Sequence, residues 1–184
     1  ASDVYKRQVL VSFIWVFIFT NAMPALGGAL GWDWLANISW FGTPSMATVT
    51  IIVVSIWQNI GFLMIIYTAG LQTIPKDVME SAELDGCSGL KKVLKIELPL
   101  LMPTVTINLF VSISGAFKSF DIPNAMTGGG PYGSTMPVAM NIYQEAFTKY
   151  NLGYGSAKSV ILFLTVAAVT LIQLYCTRKK EVEY

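Results

Sequence analysis

Charged residues divide this chain into long apolar stretches, and the intervals between them set the candidate elements. Lys158 and Arg178 enclose 19 uncharged residues (159–177), and Glu97 and Lys118 enclose 20 (98–117). Each matches the ~20 residues that carry a helix across the hydrocarbon core of a bilayer. Asp33 and Lys76 enclose 42 uncharged residues, which Gly42, Thr43 and Pro44 punctuate, leaving an apolar helix over Met46–Ala69. An earlier run starts at Val9 and reaches Thr20, about 12 residues, before Asn21, Pro24, Gly27 and Gly28 interrupt it. That is too short to span alone, so the run reads as the remaining end of a truncated helix, unless tilting or the polar leader extends it. The interval from Asp121 to Glu145 is uncharged too, but TGGGPYGSTMP fills its middle. Three glycines in a row and two prolines leave backbone groups that lipid cannot satisfy, so this interval is predicted to be a loop.

Composition agrees with this pattern. Of 184 residues, 54% are hydrophobic and 12% charged, about half the charge of an average soluble domain, which identifies an integral membrane protein. The expected fold is all-α: one polytopic transmembrane domain, residues 1–184, with about four spans. Twelve basic and eleven acidic residues leave a net charge of +1, excluding a strongly basic nucleic-acid binder. With no histidine, imidazole catalysis and His-ligated metals are excluded. Cys87 and Cys176 show neither zinc nor disulfide spacing. The chain starts at Ala1 without an initiator Met, which with the short first run points to the C-terminal part of a longer protein. The polar leader ASDVYKRQ need not belong to it.

Basic residues give the orientation. Lys76, Lys91, Lys92 and Lys95 lie between the second and third spans, Arg178, Lys179 and Lys180 follow the fourth, and Lys6 and Arg7 precede the first. Four crossings place all three segments on one side, and the excess of Lys and Arg there makes that side cytoplasmic.

Within the cytoplasmic segment, Pro75 suits a first helical turn, and Asp77 and Glu80 complement the helix dipole. A short helix over 76–85 is predicted, ending at Gly86. Ser88 is positioned to cap a second helix to about Ile96, and Pro99 to start the third span. Periodicity alone favours an ordinary amphipathic connector, since charge runs usually mark solvated faces.

The residue identities add a second reading. Glu80-Ser-Ala82, Asp85-Gly86-Cys87, Ile96, Leu98-Pro99 and Pro103 resemble the EAA loop of ABC importer permeases, EAAxxDGAxxxxxFxxIxLPxxxP, without a gap over 24 residues. Ser81, Cys87 and Val93 depart from it, standing where Ala, Ala and Phe are usual. Phe117-Lys118-Ser-Phe120-Asp121, Met126–Pro131, Thr135, Tyr143, Ala146-Phe147 and Leu152–Ala157 are similar to the MalF-type sugar permeases, as are Trp15 and the stretch 21–44. The resemblance covers about residues 9–180. It implies a bacterial inner-membrane subunit, paired with a second homologous permease, whose EAA loop (75–96) inserts into a cytoplasmic ATPase dimer. An extracytoplasmic binding protein then delivers the sugar. The coupling residues it implies are Glu80, Ala82, Asp85, Gly86, Leu98 and Pro99. It implies no cofactor in this chain, ATP and Mg²⁺ being held by the ATPase. GYGSAKS (153–159) is no phosphate loop, because Ala157 stands where the pattern needs glycine.

Polar side chains inside the spans mark a bundle interior or a pathway. The second span carries Ser55, Gln58 and Asn59 with Trp57 and Phe62 nearby, and Asn108, Ser112, Gly115 and Ser119 follow helical spacing along the third. Uncharged polar groups beside aromatic rings suit a sugar, with Gln58 and Asn59 the foremost pathway residues. Ser, Gly and Asn serve equally as glue between helices. Lys118 and Asp121 stand near the outer boundary, explained by snorkelling or a mutual ion pair. The expected function is sugar import. Glycerol phosphate or a peptide is the alternative cargo, and a secondary carrier is disfavoured because the spans lack His, Asp and Glu for a proton relay.

Overall fold

The computed structural model describes residues 2–179; Ala1 and residues 180–184, Lys180 among them, lie outside the described residues. Among those described, every regular element is helical: α1 (Ser2–Phe17), α2 (Met23–Leu30), α3 (Asp33–Ala36), α4 (Pro44–Gln72), α5 (Lys76–Leu84), α6 (Leu90–Lys92), α7 (Leu98–Leu100), α8 (Met102–Phe117), α9 (Asp121–Thr127), α10 (Val138–Tyr143) and α11 (Leu152–Arg178). Wide π-helical turns follow α1, α6 and α10, at Ile18–Ala22, Val93–Glu97 and Gln144–Thr148. Arg7–Leu30, Pro44–Gln72 and Leu152–Arg178 are long and apolar enough to cross a membrane. Leu90–Leu100 and Met102–Phe117, bent by 69° at the break between them, make a fourth if the pair is one span.

Helix α4 begins where the sequence supplies its caps. Pro44 occupies the first helical position, and the Thr43 hydroxyl accepts from the Met46 amide at 3.4 Å. It ends before Thr73 and Ile74, because Pro75 disfavours helical backbone in the residue preceding it.

The first span corrects the expectation that its helix stops at Thr20, and at the other end the leader extends it, α1 starting at Ser2. Helical structure runs on to Leu30, through Asn21, Pro24, Gly27 and Gly28. At Ile18–Ala22 the turn widens and the Met23 amide bonds to Ile18 O, which lets the chain accommodate Pro24 two residues into α2. Gly27 is a packing position. A Cβ there would stand 2.5 Å from the Ala36 amide nitrogen, so its absence lets α3 lie against α2.

The third span also differs. Pro99 lies within α7 instead of starting the membrane helix, which begins at Met102. Pro103 has no N–H for the Pro99 carbonyl four residues back, and its ring crowds that carbonyl, so the helix bends here. Between Asp121 and Glu145 only 128–137 is non-helical; α9 and α10 flank it, so the predicted loop is shorter than the uncharged interval.

The chain divides into two compact units: Ala1–Gln58 with Phe117–Ile161, and Asn59–Ala116 with Leu162–Tyr184. In the first, Phe19, Val54, Ile51, Ile122 and Met126 form a buried cluster, with Trp15, Trp40 and Phe41 packed against it. Trp15 stacks on Phe19 at 5.4 Å between centroids, and Phe19 meets Trp40 at 4.9 Å. In the second, polar bonds join the helices. The buried Asn108 donates Nδ2–H to Leu63 O (3.5 Å), tying α8 to α4, and Gln173 donates Nε2–H to Thr106 O (3.3 Å), tying α11 to α8.

Candidate functional site

Residues 75–96 form two short helical segments around a tight turn. Pro75 in extended conformation precedes α5, and Asp77 lies in its first turn. The C-terminus of α5 closes with the Cys87 amide on Ala82 O (2.9 Å) and the Gly86 amide on Glu83 O (3.0 Å). This paired 6→1 and 5→2 pattern needs a left-handed residue one past the cap, and Gly86 supplies it at φ +75°. Gly86 is thus the turn that the sequence predicts at the end of this helix. Ser88 is not the cap of the second segment. Gly89, at φ +58°, precedes α6 and its carbonyl accepts from the Lys92 and Val93 amides.

The segment buries little of itself. Ala82 and Cys87 are buried beneath the turn, whereas Glu80, Asp85 and Leu98 are exposed. Among the described residues the Glu80 carboxylate has no partner, so it does not cap its own helix. Leu84 is 89% and Leu90 74% exposed, which gives the knob an apolar tip. Lys92 Nζ stands 2.6 Å from Glu83 Oε1, and this hydrogen bond, then the lysine's charge, holds Glu83 below the usual carboxylate range.

The residues singled out in the spans separate into three kinds. Asn108 is a packing residue, as described above. Ser112 and Gly115 share its helical face on α8 and are exposed, but Ser119 lies beyond Phe117, where α8 ends, so the stripe stops at Gly115. On α4, Trp57 packs edge-to-face on Trp15 at 5.2 Å, and Gln58 is half-buried with its Oε1 enclosed and without a donor. Asn59 and Phe62 are exposed one and four positions on. Trp57, Gln58 and Ser119 belong to the first compact unit, and Asn59, Phe62, Ser112 and Gly115 to the second. Among the described residues Lys118 and Asp121 form no mutual ion pair, and Lys118 is exposed just past the end of α8.

Sequence reasoning missed two polar constellations. Gln173 interrupts an otherwise apolar stretch of α11, a signal by the same rule that flagged Gln58. Glu145, which in the sequence only bounds an uncharged interval, is the centre of the second. It is 7% exposed, and its carboxylate accepts from Lys149 at 3.1 Å, Lys158 at 3.4 Å and the Asn151 amide side chain at 3.4 Å. The Lys149 hydrogen bond is the largest cause of a pKa held below the ordinary value, against the opposing effect of burial.

The comparisons with known proteins agree with this architecture. The chain is 36% identical over 175 residues (95% of this chain, 59% of the relative) to the probable starch degradation products transport system permease protein of Thermoanaerobacterium thermosulfurigenes. It is 34% identical over 172 residues (94% and 59%) to the multiple sugar-binding transport system permease protein of Streptococcus mutans. The chain thus spans about three fifths of the length of these curated relatives. Its fold matches, with a TM-score of 0.82 at 20% identity, a chain in the crystal structure of a bacterial ABC transporter involved in the import of the acidic polysaccharide alginate, covering 94% of this chain and 60% of that one. The fold is therefore the all-α, polytopic one of ABC importer permeases. With residues 8–182 matching its family profile, the chain belongs to the binding-protein-dependent transport system inner membrane components.

Proposed function

We propose that the chain forms part of the translocation pathway of an ABC importer for a sugar or related polar solute in the bacterial inner membrane. In this reading residues 75–96 couple it to a separate ATPase dimer. The observation that carries the proposal is the knob around Gly86: a fixed left-handed turn, a Glu80 carboxylate without a partner among the described residues, and exposed Leu84 and Leu90, together a surface suited to a partner. Ala82 is buried beneath its turn, and Asp85, Leu98 and Pro99 complete the coupling residues, the last two on the short helix that leads to α8. When the ATPase dimer closes on ATP and Mg²⁺, the knob moves with it and tilts the flanking helices. This chain itself contributes no cofactor. A second homologous permease completes the pathway, and an extracytoplasmic binding protein supplies the solute.

Uncharged polar side chains beside rings support a sugar as cargo: Trp57, Gln58, Asn59 and Phe62 on α4, and Ser112, Gly115 and Ser119 on or after α8. The sugar-transport names of both relatives point the same way. The test is uptake of labelled maltodextrin by proteoliposomes containing the full transporter, with ATP inside and binding protein outside. Uptake that needs both supports the proposal. Uptake of glycerol phosphate in place of sugar replaces the cargo, and uptake driven by a proton gradient without ATP overturns the importer reading.

A further inference from the structure

Among the described residues only two that are not glycine adopt positive φ: Tyr132 at +54° and Tyr150 at +57°. They are also, with Leu84, the three most exposed large apolar side chains, at 97% and 86%. A residue bearing a Cβ is disfavoured in this region and persists there only where its surroundings over-determine the backbone. At Tyr150 those surroundings are the Glu145 constellation. The Lys149 amide bonds to Gln144 O (2.9 Å), the Asn151 amide to Glu145 O (3.0 Å), and the Asn151 side chain to the Glu145 carboxylate. At Tyr132 the Thr135 hydroxyl donates to Gly130 O (2.7 Å), and the Thr135 amide bonds to Gly129 O across the turn. Neither phenol ring meets another ring or hydrogen-bonds within the described residues. Strained backbone thus holds both rings at the surface of the described residues, where neither packs on another ring.

Resting on the proposed function, we infer that Tyr132 and Tyr150 are anchors on the surface that receives the solute-binding protein, and that Glu145 positions Tyr150. Both tyrosines lie between α8 and α11, the side opposite the 75–96 knob in the proposed topology. Exposed tyrosines are favoured anchors at protein interfaces, because a large ring is ordered at little entropic cost. Lys149, next to Tyr150, has a 58% exposed side chain, while Glu145 is enclosed. The rim beside the ring is therefore positive and suits an acidic edge on the partner. A lipid-facing tyrosine needs only its position along a helix and gains nothing from a left-handed backbone.

The experiment uses the full transporter in proteoliposomes. A photo-crosslinking phenylalanine analogue replaces Tyr132 or Tyr150, and Tyr132→Gly and Tyr150→Gly are titrated with binding protein. Glycine fits positive φ, so these variants lose the ring while relaxing the backbone, and their melting temperature stays at or above wild type. We expect cross-links to the binding protein, and about a tenfold rise in its half-saturating concentration for stimulated ATP hydrolysis. Cross-links only to lipid or to the second permease, with half-saturation unchanged, overturn the inference and leave the proposed function standing. No stimulation in the wild type removes the proposed function and this inference together.

Discussion

Lys92 reaches back across the Gly86 turn to place its Nζ 2.6 Å from Glu83 Oε1, joining the two helical segments of the knob. The lysine side chain is 15% exposed and the glutamate 64%, so the pair is anchored from the buried amine. Lys92 lowers the Glu83 pKa, so the pair stabilises the knob above glutamate's ordinary pKa of about 4.3. That stabilisation is lost as pH falls through the lowered value. Amide-exchange protection over 76–96 is expected to hold from neutral pH to about 4.3 and to fall below it. Glu83→Gln starts less protected at neutral pH and shows no acid step. An identical profile in the variant would detach the pair from the turn.

Asn108 and Gln58 separate packing from pathway. Asn108 binds the Leu63 carbonyl within one compact unit, so Asn108→Ala is expected to cost about 1 kcal/mol of stability. Its sugar preference stays unchanged. The side-chain oxygens of both residues are enclosed and lack a donor among the described residues, but only Asn108 bonds a second helix, so Gln58→Ala is the variant expected to change the apparent KM for sugars, by about two- to tenfold. Melting curves together with uptake kinetics check both. Unchanged kinetics for every sugar with Gln58→Ala would make Gln58 another packing residue.

The spans were legible because charge is so costly in lipid that its absence outlines them. Helix α4 exceeds its predicted limits by two residues at Pro44 and three at Gln72, where caps rather than hydropathy set the ends. Gly86 was legible because only glycine takes that φ freely after a short helix. Pro24 misled, since a π-helical turn upstream removes the conflict that normally makes proline a breaker. Ser119 misled as well, because helical spacing extrapolated past Phe117 says nothing about where the helix stops. Glu145 escaped notice because its partners Lys149, Asn151 and Lys158 come from a turn and a later helix that local pattern does not join.

The orientation gives a direct labelling experiment. In a background lacking Cys87 and Cys176, Ser45→Cys and Ser134→Cys are expected to react with an impermeant thiol reagent from outside intact cells. Lys92→Cys reacts only after the membrane is opened, following the excess of basic residues around 76–95. External labelling of Lys92→Cys would invert the topology and remove the knob from any cytoplasmic partner.

Coupling through the knob is the central claim, and Gly86→Pro with Glu80→Lys tests it most directly. Proline cannot take φ +75° and lacks the N–H that Gly86 gives to Glu83 O, while Glu80→Lys reverses an exposed charge that has no partner among the described residues, without altering the turn. The measurement is ATP hydrolysis by the reconstituted complex, with and without binding protein and sugar. Both variants are expected to insert in the membrane, bind the ATPase less tightly and lose at least tenfold of the stimulated rate together with transport. Wild-type stimulation in both variants would contradict coupling through residues 75–96.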